Sequence, residues 1–153
     1  MRTTVRGTRV KVWRVLVISV LALATLLALS ACADSGLDER ITSTVDGASG
    51  TQLRMSDVTD FAWEELYVFP PYTSQEQIDR ALGFEWSDPS GISLKDTITL
   101  LVFVDDGEVV GWVAPLRSEA DFASLSEGSP WTPETALYRV AGVRVVVQGD
   151  GAP

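Results

Sequence analysis

Residues 15–29 (VLVISVLALATLLAL) carry no charge, and the only cysteine of the chain, Cys32, lies three positions beyond them. The run divides the chain. Ahead of it stand Arg2, Arg6, Arg9, Lys11 and Arg14 with no acid, and behind it stand the small residues Ser30 and Ala31. A basic start, a short apolar stretch and small residues before a cleavage point describe a secretory signal peptide. The stretch is shorter than the roughly 20 apolar residues that span a bilayer as a helix. Residues 1–31 are therefore read as a signal peptide, and the folded domain must be built from residues 32–153.

The last four residues of the segment are Leu29-Ser30-Ala31-Cys32. An aliphatic residue, two small residues and a cysteine resemble the lipobox of bacterial lipoproteins. The resemblance implies a diacylglyceryl thioether on Cys32, cleavage between Ala31 and Cys32, and a lipidated cysteine as the first mature residue. One acyl chain binds a membrane only marginally, whereas two give stable anchoring. The alternative is an ordinary signal peptide or an uncleaved anchor with an incidental cysteine. The lipobox reading places the protein on the extracytoplasmic face of the cell membrane or outer membrane, with membrane lipid as its first partner. Ala33 rather than an aspartate follows Cys32, which permits outer-membrane sorting in a two-membrane cell.

Without residues 1–31 the chain has 122 residues, and five of its 12 basic residues are gone while all 21 acids remain, so the formal charge is 7 − 21 = −14. So acidic a domain is a poor partner for nucleic acid, which selects basic faces. With Cys32 acylated no disulfide can form, and stability must come from one packed core. The chain contains no histidine, which removes Ser-His-acid and Cys-His catalysis and histidine zinc sites. Carboxylate pairs remain, with Glu64 and Glu65 beside Asp57 or Asp60 the nearest candidates. Ser93 and Lys95 form the one Ser-Lys arrangement at strand spacing. Asp105-Asp106-Gly107 offers acids for calcium, but Val109, Val110 and Gly111 supply no ligands at the following positions. No cofactor or metal is expected.

Residues 32–50 are small, polar and acidic and read as a lipidated N-terminus with a flexible tether. Leu37, Ile41 and Val45 recur every four residues, enough for a transient helix. Such a tether spans roughly 23 Å and would let the acidic domain stand off the bilayer. Residues 51–148 read as a small α+β domain: an antiparallel sheet of about four or five strands with one short helix. Strands are expected near Leu53, over Leu66–Phe69, over Thr97–Val104 and over Glu108–Ala114. Asp-Gly at 106–107 predicts a hairpin between the last two. Thr73 and Glu76 suggest a capping box for a helix over 74–82, with Gly83 as a left-handed C-cap. The run Ala136–Val147 changes its apolar parity at Ala141-Gly142, predicting one strand with a bulge. Residues 149–153 read as a disordered tail.

Trp63 to Thr73 (WEELYVFPPYT), the helix ending Leu82-Gly83, and Leu101 to Gly107 (LVFVDDG) are similar to a group of small uncharacterised bacterial envelope proteins, many of them lipoproteins. The similarity covers about residues 57–113 and lends no activity. Within this stretch the strand 66–69 is apolar on both faces, which suits a central strand with Trp63 and Tyr67 in the core. On that reading Trp63 and Tyr72 pack over its ends; the alternative gathers Trp63, Tyr72 and Trp86 at the helix edge as an exposed aromatic surface, which makes Tyr72 and Trp86 the candidate contacts for a partner. The function expected is a non-catalytic binding or interaction module with an envelope protein partner. A structural or assembly role for another envelope component and a carboxylate-dependent hydrolase are the alternatives.

Overall fold

The computed structural model describes residues 35–148 except Ser49. The expectations for the signal segment, Cys32 and the tail lie outside the described residues. The domain is α+β, with eight regular elements: α1 (Ser35–Gly47), β1 (Gln52–Arg54), β2 (Glu65–Phe69), α2 (Gln75–Leu82), β3 (Leu100–Asp105), β4 (Glu108–Val113), β5 (Leu137–Ala141) and β6 (Arg144–Val147). Both sheets are antiparallel, one ordered β1-β5-β6 and the other β2-β3-β4. Among the described residues there are thus six strands in two sheets rather than four or five in one, and two α-helices rather than one.

The largest correction concerns residues 32–50. From Ser35 onward they are not a flexible tether, because α1 is folded and Leu37, Ile41 and Val45 are wholly buried. The four-residue spacing that could have been transient puts all three on one face, and that face closes the inter-sheet core. Arg40 holds the helix to the next segment, with Nε donating to the Val58 carbonyl at 3.1 Å and a terminal nitrogen pairing with Asp60 at 3.2 Å. Polar composition suggested a tether, and burial of the apolar stripe overrides it.

The core has two layers, one on each face of the sheet β2-β3-β4. Leu66, Val68, Leu101, Phe103 and Val113 face the other sheet and α1. Tyr67, Phe69, Leu100, Val102 and Val104 face α2 through Ile78 and Leu82. The two-sided apolar pattern of 66–69 is thereby explained, but the central strand is β3. The outer edge of β2 is covered instead by residues 129–131. Leu66 and Trp131 exchange backbone hydrogen bonds of 2.7 and 2.9 Å, and the Val68 N–H donates to Ser129 Oγ at 3.1 Å. At the centre of the inter-sheet layer the Phe103 ring meets Phe61 and Trp63 edge-on, with centroids 5.4 and 5.5 Å away.

The helix α2 starts one residue later than its capping signal implied. Ser74 is the N-cap, its side chain accepting from Gln77 N–H while the Gln77 side chain takes the Ser74 N–H. Thr73 is buried and its hydroxyl donates to the Pro70 carbonyl. Gly83 does take the left-handed C-cap position.

The run 136–147 is a hairpin, not one bulged strand. Val140 pairs with Val145 and Ala141 with Arg144, leaving a two-residue turn with Gly142 at φ 65°. The parity change marks the chain reversing, so that Tyr138, Val140 and Val145 all point into the core while Val143 is exposed.

The hairpin expected at Asp105–Gly107 is present. Asp106 and Gly107 have φ of 49° and 75°, the double positive of a type I′ turn, which matches strand twist. A β-carbon in that conformation costs about 1–2 kcal/mol. Gly107→Val is therefore expected to lower stability by about that amount, read as a lower melting temperature. An unchanged melting temperature would contradict the turn.

Candidate interaction surface

The aromatic residues of the 63–86 stretch do not gather. Trp63 lies in the inter-sheet layer, its indole N–H donating to Thr59 Oγ1 at 3.0 Å. Trp86 packs on the opposite layer, edge-on to Trp112 with centroids 6.5 Å apart. Its backbone is pinned from both sides, the N–H to Asp79 Oδ1 and the carbonyl to Gln75 Nε2. Trp63 and Tyr67 are core residues, Trp86 is half-buried, and Tyr72 is 62% exposed. Tyr72 alone of the set presents its ring to solvent.

Local sequence explains how. Pro70-Pro71-Tyr72-Thr73 closes a four-residue turn through Thr73 N–H and the Pro70 carbonyl, with Pro71 in the second position and Tyr72 in the third at φ 64°. Proline favours the second position of a type II turn, and the third position wants glycine. A tyrosine there is a backbone outlier, held against a cost of about 1–2 kcal/mol. What holds it is the 92–95 segment. The Tyr72 N–H is shared between the carbonyls of Ile92 at 3.1 Å and Lys95 at 3.3 Å.

That segment presents Leu94, 87% exposed, on a short 3₁₀ turn over Ile92–Leu94. One carboxylate fixes the turn: Asp88 accepts from the Ser90 N–H at 2.8 Å, the Ser90 hydroxyl at 2.6 Å and the Ile92 N–H at 3.2 Å. The Lys95 ammonium folds back onto the Ser90 carbonyl at 2.6 Å. Tyr72 and Leu94 thus stand on two rigid, hydrogen-bonded turns joined through their backbones. Leu94 escaped the sequence reading because nothing in GISL separates an exposed leucine from a buried one where no periodicity exists.

The same geometry disposes of the Ser-Lys arrangement, since Ser93 lies on the 3₁₀ turn and the Lys95 amine is committed to Ser90. The four suggested carboxylates are not brought together either. Asp60 pairs with Arg40, and the Glu64 side chain reaches the Asp106 N–H at 3.4 Å. Glu65 accepts from the Tyr67 hydroxyl at 2.9 Å. Burial first, and then that hydrogen bond, push the Tyr67 hydroxyl up to about 12. The carboxyl whose affinity for a proton is raised is Asp38, by burial and secondarily by the charge of Glu119. Glu119 lines a hollow of about 430 Å³ with Glu39, Asp46 and Thr42. No group of three or more acidic or cysteine side chains able to hold a metal occurs among the described residues.

A groove of about 370 Å³ runs between β2, α2 and residues 126–130. Its hydroxyl groups are engaged within the protein: Thr73 donates to Pro70, Ser126 donates to Ala123, and Ser129 accepts from Val68. Set against family models, curated proteins and solved structures, the chain finds no match in any of the three. Function has to be argued from the residues and their placement.

Proposed function

We propose that the protein is a bacterial lipoprotein, anchored through Cys32, whose extracytoplasmic domain is a non-catalytic interaction module that meets an envelope partner through Tyr72 and Leu94. The observation that carries this reading is the pairing of a strained, solvent-facing tyrosine with an almost fully exposed leucine on fixed turns. Strain and exposed apolar surface both cost stability, and strained residues cluster where function requires them. Rigid presentation lowers the ordering cost of binding, and an aromatic anchor brings large contact area at low entropic cost.

The anchor geometry follows from α1. Its first residue, Ser35, is three positions after Cys32, and an extended chain covers at most about 3.6 Å per residue. A lipid on Cys32 would hold the domain within about 10 Å of the membrane, not at the reach of a long tether. The competing carboxylate-hydrolase reading has its best footing at Asp38 and Glu119, where burial and a like charge raise one carboxyl.

The interface reading makes a two-sided prediction. Tyr72→Ala keeps the strained backbone and removes only an exposed ring, so stability should change by less than about 1 kcal/mol, against about 3–5 for truncating a buried aromatic. The same variant, and Leu94→Ala, should lose the protein that a photoreactive residue at Ser93 cross-links in intact cells. A large stability loss, or retention of the cross-linked partner, would remove Tyr72 from the interface.

A further inference from the structure

The outer face of the sheet β1-β5-β6 carries an unexpected charge. Arg54, Arg139 and Arg144 all point to solvent from it, one on each strand. Register fixes their relation: Arg54 stands opposite Leu137, two residues before Arg139, and Arg144 stands opposite Ala141, two residues after Arg139. Diagonal neighbours of this kind are about 7–8 Å apart, so the three form a line across the sheet. The remaining side chains on that face are Gln52, Leu137, Ala141 and Val146, none acidic. None of the three arginines makes a salt bridge among the described residues. The domain has three acids for every base, yet the three strands bring no acid to this face, and the nearest one, Asp121, forms a β-bridge with Arg144 at the β6 edge.

A hollow of about 270 Å³ at the β6 edge extends the line, bounded by Arg144, Arg117, Ser124 and Asp121. Asp121 is its one carboxylate. Arg117 pairs with it through two hydrogen bonds of 3.1 and 3.0 Å, and the charge of Arg144 adds a weaker attraction.

We infer that this arginine line docks the domain onto an anionic membrane surface, its guanidinium groups on lipid phosphates. The inference rests on the anchor reading above. Charge complementarity selects the occupant, because Arg54 and Arg139 have no acidic neighbour on the face, Arg144 shares Asp121 with Arg117, and a guanidinium grips phosphate in two-pronged fashion. Proximity favours lipid over other polyanions: three residues from Cys32 to α1 keep the domain within reach of the bilayer. The net charge of −14 does not oppose it, since charges farther than roughly 8 Å are screened at physiological salt and the membrane meets only the face turned toward it. Layer order then sets the orientation. The α2 layer, which follows the Tyr72 turn, lies on the other side of both core layers and faces away from the membrane.

The test uses the full chain reconstituted in vesicles of phosphatidylcholine with or without phosphatidylglycerol. A fluorophore is placed at Gln52→Cys, on the arginine face, or at Ser93→Cys beside Leu94, and a headgroup-level quencher reports approach. The probe at position 52 should be quenched only on anionic vesicles, and the probe at 93 on neither. Each Arg→Gln change should shift the docked-to-free ratio by about fivefold, and R54Q/R139Q/R144Q together by about 100-fold. The single variants keep the test open if the triple variant fails to melt cooperatively. Equal quenching on neutral vesicles, or quenching indifferent to the arginines, overturns the inference. So does an arginine variant whose membrane distance is unchanged while it loses an acidic protein cross-linked in cells. The mass of the mature N-terminus, measured on the same sample, reports the lipid on Cys32 separately, so failure of docking and failure of anchoring are distinguishable.

Discussion

Ile41→Ala should destabilise the domain by about 2–5 kcal/mol, the range for truncating a fully buried aliphatic side chain. Ile41 is wholly buried between Leu37 and Val45 on the same helix face. The three close a layer that also holds Phe103, Phe122 and Tyr138. A helix of 13 residues is marginal in water by itself, so α1 persists because its stripe is packed, and the packing suffers wherever the stripe is cut. The effect should be confined to that stripe. Ser43→Ala, on the exposed side of the same helix, should stay within about 0.5 kcal/mol. Urea titration of the three proteins checks both halves. If Ile41→Ala were as harmless as Ser43→Ala, residues 35–47 would be a tether after all and the domain would begin near residue 51.

The contrast between Ile41 and Ser43 shows what sequence pattern could and could not settle. The spacing of Leu37, Ile41 and Val45 was visible, but whether it amounts to a helix depends on a partner surface built from Phe103, Tyr138 and other residues far along the chain. Local signals with local causes were legible: Gly83 ending α2, Asp106-Gly107 turning β3 into β4, and the two apolar faces of β2. Signals with two local explanations were not. A parity switch at Ala141-Gly142 fits a bulge as well as a reversal, and only pairing of Val140 with Val145 decides it.

The site divides the same way. Tyr72 was legible as the end of an aromatic run after two prolines, and the turn accounts for its exposure. Trp86 looked equivalent, but its contact with Trp112 and its backbone bonds to Asp79 and Gln75 are long-range facts. Leu94 and the arginine line had no local signature. Arg54 and Arg139 belong to opposite ends of the domain's sequence, and only the β1–β5 register makes them neighbours.

Cys32→Ser is expected to have the largest effect of all, because it would remove the proposed attachment itself. In the proposed lipoprotein the thioether would form on the Cys32 sulfur, and serine offers no thiolate to accept a diacylglyceryl group. Labelling with a radioactive fatty acid should fall from full incorporation to none. The variant should leave the membrane or accumulate as uncleaved precursor, with the fold of residues 35–148 unaffected because Cys32 precedes α1. The most direct measurement is the intact mass of the mature protein isolated from membranes. The account predicts a chain beginning at Cys32 with a diacylglyceryl mass on that residue. An unmodified Cys32, or a chain still carrying residues 1–31, would contradict it.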